Sequence, residues 1–224
     1  LRRLLENLGR LPLLTASGLT RWFSPGFRLE RQAKAEVRRW LSRERWSQLC
    51  SIPGMSATQE CLLLAFLAAK SPSGGAIVEI GAWQGKSTAW LAEGARRRSD
   101  RPLIVSIDPH ERGSWEGFVD TIQRFDLQGP KLKVHRTSSH AIGESWDRPI
   151  SLLWVDGCRE YDAVRQDIDD FVPHLMRGGW AVFDDAAGGA YPGVERAIAE
   201  RLAGRRGFSR AATIRQLQIF RRDL

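Results

Sequence analysis

The sequence is short of cysteine, of lysine and of long apolar runs, and each shortage excludes something. Three cysteines, Cys50, Cys61 and Cys158, are scattered over 224 residues. They are too few and too dispersed for a disulfide scaffold or a cysteine-based zinc site. No apolar run approaches the roughly 20 residues of a membrane span, and the longest lies around residues 62–69. Nothing in the composition suggests collagen, mucin or wholesale disorder. Arginine outnumbers lysine 29 to 5. That bias carries a share of genomic base composition, so the arginines are not each there for a ligand. The chain begins at Leu1 rather than Met and reads as trimmed, with a removed targeting segment left open.

What is present is positive charge, unevenly spread. The net charge is +8, of which residues 1–50 carry +7 and the remainder +1. A whole-chain pI near 10.1 points at first to nucleic acid. The distribution describes instead a basic arm on a near-neutral body. We divide the chain into a helical arm or cap over residues 1–55 and a catalytic domain over 56–224. In the arm, Leu29, Ala33, Val37, Trp40 and Leu41 recur at helical spacing after a break at Ser24-Pro25-Gly26. The arm reads first as a cap with solvated arginines outside. Its second reading is a contact with anionic lipid, peripheral to a membrane, or with a second copy of the chain. Trp22, Phe23, Trp40 and Trp46 beside arginines suit either.

After the turn at Ser51-Ile52-Pro53-Gly54, a helix is expected over residues 56–70, with Ser56 or Thr58 as its N-cap. Short apolar runs then alternate with helical stretches. The runs are 76–80, 103–107, 131–135, 150–155, 180–183 and 213–220; the helices are 87–98, 115–125, 161–175 and 193–202, with an equivocal stretch near His140. This alternation predicts an α/β, doubly wound, Rossmann-like sheet, mostly parallel, with seven strands and the last antiparallel.

The chemistry gathers where strands end. The first run closes on Glu79-Ile80-Gly81-Ala82-Trp83-Gln84-Gly85-Lys86-Ser87. Such a glycine turn lets backbone N–H groups approach a nucleotide-like ligand. It matches neither Gly-x-Gly-x-x-Gly nor the P-loop spacing. The second run ends in Asp108, placed to accept from two ribose hydroxyls. The fourth and fifth runs end in Asp156 and in Asp184-Asp185. Three carboxylates at one sheet edge repel one another unless a cation joins them, and oxygen donors suit a hard ion such as Mg²⁺.

With these motifs on the page, the sequence resembles class I S-adenosylmethionine-dependent methyltransferases over roughly residues 56–222. The nearer likeness is to the metal-dependent sugar O-methyltransferases of macrolide and aminocoumarin type, and the more remote one to catechol O-methyltransferase. The 28- and 29-residue spacings from Asp156 to Asp184 and Asp185 are those of that family's metal-binding acids. The resemblance implies S-adenosylmethionine as cofactor, with Glu79 and Gly81 at its methionine part, Asp108 at the ribose, Ser138 or Ser139 at the adenine, and Gly85 and Ser87 also among the cofactor-binding residues. It implies Mg²⁺ on Asp156, Asp184 and Asp185, and a hydroxyl of a sugar or glycosylated metabolite as acceptor, with a small phenol second. Asp156, Arg159 and His140 are the candidate catalytic residues.

One departure matters. The family often has Lys or His three residues after the first metal Asp, as a base. Here that place holds Arg159, which stays protonated. It is left to pair with a substrate anion or with Glu160, while His110, His140 or Asp162 could take the proton. RNA methylation is disfavoured: no Asn/Asp-Pro-Pro-aromatic run follows the fourth strand, no cysteine pair suits pyrimidine chemistry, and no stacking module is evident. The expected setting is the cytoplasm, with peripheral membrane contact through the arm as the variant.

Overall fold

Residues 61–68 form eight consecutive buried positions, too many for a helix with one wet face, so this helix has to be covered on all sides. It is α3 (Thr58–Lys70), third after α1 (Pro25–Trp40) and α2 (Arg43–Cys50) in a computed structural model that describes residues 24–111 and 113–223. Trp22 and Phe23 lie outside the described residues. The alternation then runs β1 (Ala76–Ile80), α4 (Lys86–Ala95), β2 (Ile104–Ile107), α5 (Trp115–Arg124), β3 (Leu132–His135), α6 (Ser139–Gly143), β4 (Ile150–Val155), α7 (Tyr161–Phe171), β5 (Leu175–Phe183), α8 (Pro192–Arg201), β6 (Phe208–Ile214) and β7 (Leu217–Arg222). A 3₁₀ turn, Val172–His174, separates α7 from β5.

The strands make one seven-stranded sheet in the order β3-β2-β1-β4-β5-β7-β6. β1 to β5 pair in parallel, and β7 runs antiparallel to both β5 and β6. The doubly wound expectation holds. Strand order reverses between β1 and β4, and ligands of such sheets bind beyond the carboxyl ends at that switch.

Three local expectations need correction. The run 213–220 is not one strand. Ala212 and Ile214 are buried, then Leu217 and Ile219, so the alternation slips by one across Arg215 and Gln216. That slip is a two-residue hairpin turn closed by the Ile214–Leu217 pair, with Arg215 at φ 55°. The helical series read through Leu41 ends one residue earlier, since α1 stops at Trp40 with Leu41 as its extended C-cap, and Ser42 restarts the chain as α2 by accepting from the Arg45 N–H at 3.0 Å. The N-cap of α3 is neither Ser56 nor Thr58 but Ala57, whose N–H donates to Glu60 Oε2 at 2.7 Å.

Both faces of the sheet are covered. α1, α3 and α4 bury one side together with Trp90 and Trp154, and α7 and α8 bury the other against Phe171 and Phe183. Within the arm, Ala33, Val37 and Leu49 are fully buried in the first of these clusters. α3 and α4 cross at Gly94, where a Cβ would come within 2.1 Å of the Ala65 carbonyl oxygen.

Candidate active site

β1 delivers its chain into a turn that only unusual backbone can make. Gly81 sits at φ 85°, and a Cβ there would lie 2.2 Å from the Asp156 carbonyl oxygen, because β1 and β4 converge at this point. Gly85, at φ 84°, caps α4. Between them Trp83 takes φ 48°, a strained conformation for a bulky residue. Asp108 holds the strain in place: its Oδ2 accepts from the Ala82 and Trp83 N–H groups, both at 2.8 Å, and its Oδ1 accepts from the His110 N–H at 2.7 Å. Glu79 lies beneath the turn, wholly buried. Its Oε2 accepts from Thr88 at 2.5 Å and Ser106 at 2.9 Å, while Oε1 has no partner. Burial pushes its carboxyl up to about 7 against the pull of bonds from Ser87, Thr88 and Ser106.

The Val155–Phe183 pairing sets the ends of β4 and β5 level, and the Asp184 N–H donates to the Val155 carbonyl at 2.9 Å. Asp156, Asp184 and Asp185 therefore meet, each offering an oxygen within 4.8 Å of the others. Burial first, and then the charge of Asp184, raise the Asp156 carboxyl well above the usual range. Burial and the charge of Asp185 raise Asp184. Asp184 Oδ1 is buried and unpartnered. An orphaned oxygen among three hard donors is what a divalent cation fits.

Arg159 pairs neither with Glu160 nor with open solvent. Its Nε donates to Asp185 Oδ2 at 2.8 Å and its Nη2 to Asp156 Oδ1 at 3.2 Å. Burial opposes its charge, but these two acids win and hold the guanidinium above its ordinary pKa.

A cleft of about 840 Å³ opens over this edge, lined by the glycine turn, Asp108, Ser138, Ser139, His140, Asp156 and Arg159. Glu79, Gly85, Asp184 and Asp185 border it without lining it. Ser138 caps α6, and Ser139 bonds the buried Asp167, whose carboxyl burial lifts to about 7. His140 is half exposed and turned to Asp170 and Glu144, each at 3.3 Å, rather than to the three acids. Asp162 is exposed and pairs with Arg165. His110 is buried, bonded to Ser114 at 2.8 Å, and burial lowers its pKa.

Several neighbours escaped sequence reasoning. Ser56 donates to Asp156 Oδ2 at 3.3 Å across 100 residues, and Lys86 Nζ donates to the Ser56 carbonyl at 2.9 Å. No local pattern marks such a pairing. Met55 and Tyr191, the two large hydrophobic side chains exposed among the described residues, both line the cleft.

Residues 78–186, from within β1 to just past Asp185, match the model of a methyltransferase domain. Over these residues the chain is similar to methyltransferases. A relative from Acanthamoeba polyphaga mimivirus, the uncharacterized protein R132, is 24% identical over 139 residues, 57% of this chain. The chain spans about three fifths of that relative's length, 61%. Among solved structures, the O-methyltransferase NovP superposes with a TM-score of 0.62 at 14% identity, covering 90% of this chain and all of NovP. The O-methyltransferase TomG from Streptomyces achromogenes, solved with S-adenosylmethionine, gives 0.60 at 21% identity, covering 84% and 89%. The TDP-rhamnose 3'-O-methyltransferase CalS11 gives 0.58 at 15%, covering 98% and 91%. At these identities the methyltransferase fold is what the structures share.

Proposed function

We propose that the domain transfers a methyl group from S-adenosylmethionine to a hydroxyl oxygen of a sugar or glycosylated metabolite, assisted by Mg²⁺ or a similar hard cation. The observation that carries this reading is the meeting of Asp156, Asp184 and Asp185 beside the glycine turn, with Asp184 Oδ1 left without a partner. CalS11, similar along nearly the whole chain, is a TDP-rhamnose 3'-O-methyltransferase, which supports the acceptor class. A small phenol is the second reading, favoured by the Met55 and Tyr191 side chains in the cleft wall.

The roles follow from position. Gly81 and Gly85 shape the turn, Ser87 lines it, and Glu79 beneath it steadies Ser87 and Thr88. Together they receive the methionine part of the cofactor. Asp108 holds the turn in register with two of its oxygens' bonds and keeps lone-pair capacity for a ribose hydroxyl. Ser138 and Ser139 meet the adenine. Asp156, Asp184 and Asp185 would hold the cation, which when bound supplies Lewis acidity towards the acceptor hydroxyl. When bound, S-adenosylmethionine would supply the methyl group from its sulfonium, and the acceptor hydroxyl would give up its proton to solvent. Arg159 cannot take it, and His140 faces away from the acids. The chain's own contribution is alignment.

We read residues 1–55 as a cap. Two arm arginines are used internally, with Arg38 lying over Trp46 and Arg45 Nε donating to Glu93 at 2.7 Å, and Arg97, just beyond α4, lies over Trp40 of the arm. No helix among the described residues is long and apolar enough to cross a membrane. Flotation of the intact chain with anionic and neutral vesicles, and its mass by light scattering, would separate this cap from a membrane or dimer contact.

The central test is labelled methyl transfer from S-adenosylmethionine to a panel of glycosides, sugar nucleotides and catechols, with Mg²⁺ or with EDTA. The reading expects transfer to a hydroxyl oxygen that stops in EDTA. Full turnover in EDTA removes the metal, and transfer to nitrogen or carbon removes the O-methyltransferase.

A further inference from the structure

Arg159 spends its fork in an unusual way. Nε reaches Asp185 behind β5, Nη2 reaches Asp156 after β4, and Nη1 donates to the Gly157 carbonyl at 3.2 Å. The guanidinium thereby joins two carboxylates that would otherwise repel, which is the work a hard cation does in such a cluster. Its place in the cleft adds a second fact. Arg159 and Asp156 line the cleft, and the Arg159 side chain is 30% exposed against 14% for Asp156 and 11% for Asp185, so the guanidinium is the more solvent-accessible partner of each pair. The charges leave room for both: three carboxylates and one guanidinium sum to two negative charges, and Asp184 Oδ1 has no partner. The same side chain also has an alternative contact, since its Cζ lies 5.6 Å from the centroid of the exposed Tyr191 ring.

We infer that Arg159 is a tethered cation, a positioning residue that keeps Asp156 and Asp185 assembled before a divalent ion binds and competes with that ion for their oxygens. This rests on the metal-assisted reading above and adds a regulation of the same site. Entry of the ion would loosen the bonds to Asp156 Oδ1 and Asp185 Oδ2 and leave the Gly157 carbonyl and the Tyr191 ring as the guanidinium's partners. The site is then ordered without metal and binds metal more weakly than its three carboxylates alone would.

The test is a Mn²⁺ titration of the full chain, read by the spin-resonance signal of free Mn²⁺, in wild type, Arg159→Gln and Arg159→Lys. Removing a competing charge at a partly buried site should tighten Mn²⁺ binding about tenfold or more in Arg159→Gln, with Arg159→Lys between it and wild type. In chelator, Arg159→Gln should melt below wild type, and saturating Mn²⁺ should close the gap. A purely structural ion pair would lower the melting point without tightening the metal. Equal or weaker Mn²⁺ binding in the variants, with wild type binding, overturns the inference and leaves the metal reading standing. No Mn²⁺ bound by any of the three in the millimolar range overturns both. Should Arg159→Gln fail to fold, Arg159→Lys keeps the charge but loses the fork, and an affinity for Mn²⁺ no higher than wild type would still sink the proposal.

Discussion

Asp108 and Asp184 each follow a parallel strand of the same sheet, yet their carboxylates stand in opposite conditions. Asp108 accepts three backbone N–H groups and pins the glycine turn. Asp184 faces two other carboxylates, and one of its oxygens is buried with no donor. The first half of the cleft is finished by the polypeptide alone. The second is finished only in part, by Arg159. On the proposed reading the first half would bind the cofactor, and the second would activate the acceptor once a cation completes it.

The largest effect should come from breaking the incomplete half. Asp184→Ala should lower methyl transfer by about a hundredfold or more, the loss expected when a Lewis acid is no longer held. Steady-state assays with the best acceptor of the panel check this, and turnover near wild type would merge Asp184 with ordinary loop acids.

Breaking the finished half comes next. Asp108→Ala strands the N–H groups of Ala82, Trp83 and His110, at a cost of about 1–3 kcal/mol in stability. It should also weaken S-adenosylhomocysteine binding about tenfold or more, because the turn and the ribose acceptor are lost together. Denaturant melts and calorimetry measure the two. An unchanged affinity would leave Asp108 a purely structural residue.

Acidity sharpens the comparison more gently. Asp167 behind Ser139 is raised from 3.8 to about 7 by burial. A carboxyl whose folded pKa is raised contributes stability that is complete below the unfolded value and is lost as pH rises through the folded one. Wild type should therefore lose stability as pH rises from about 4 to about 7, and Asp167→Asn should flatten that slope by a few degrees of melting temperature. Identical slopes would remove Asp167 from the titration. The smallest effect belongs outside both halves. Arg38→Ala, which removes a cation from the face of Trp46, should cost no more than about 1 kcal/mol and leave cofactor and metal affinities alone.

Much of this was readable in advance, for physical reasons that can be named. Strand ends are marked by the switch from apolar runs to glycine and acid, so Gly81, Asp108, Asp156 and Asp184 fell where a doubly wound sheet puts its ligands. The metal candidates were legible because two strands of a known order had to end side by side. Arg159 was legible as an anomaly, but its partners were not, since they lie at Asp156 and Asp185 rather than at Glu160. Ser56 was taken for a helix cap because its neighbours in sequence fit one; its bond to Asp156 depends on how α3 lies against β4. The β6–β7 hairpin was written in the phase slip at Arg215 and Gln216 and passed unread because each half is short. His140 illustrates the reverse: its type suggested a base, and only the packing of α6 on α7 turned it towards Asp170.

The division of the cleft is tested most directly by calorimetry on one variant, Asp184→Ala, titrated separately with S-adenosylhomocysteine and with Mn²⁺. A finished half and an unfinished half predict cofactor affinity within about twofold of wild type and Mn²⁺ affinity lower by about tenfold or more. Cofactor affinity falling together with the metal, or Mn²⁺ binding untouched by the loss of Asp184, would contradict it.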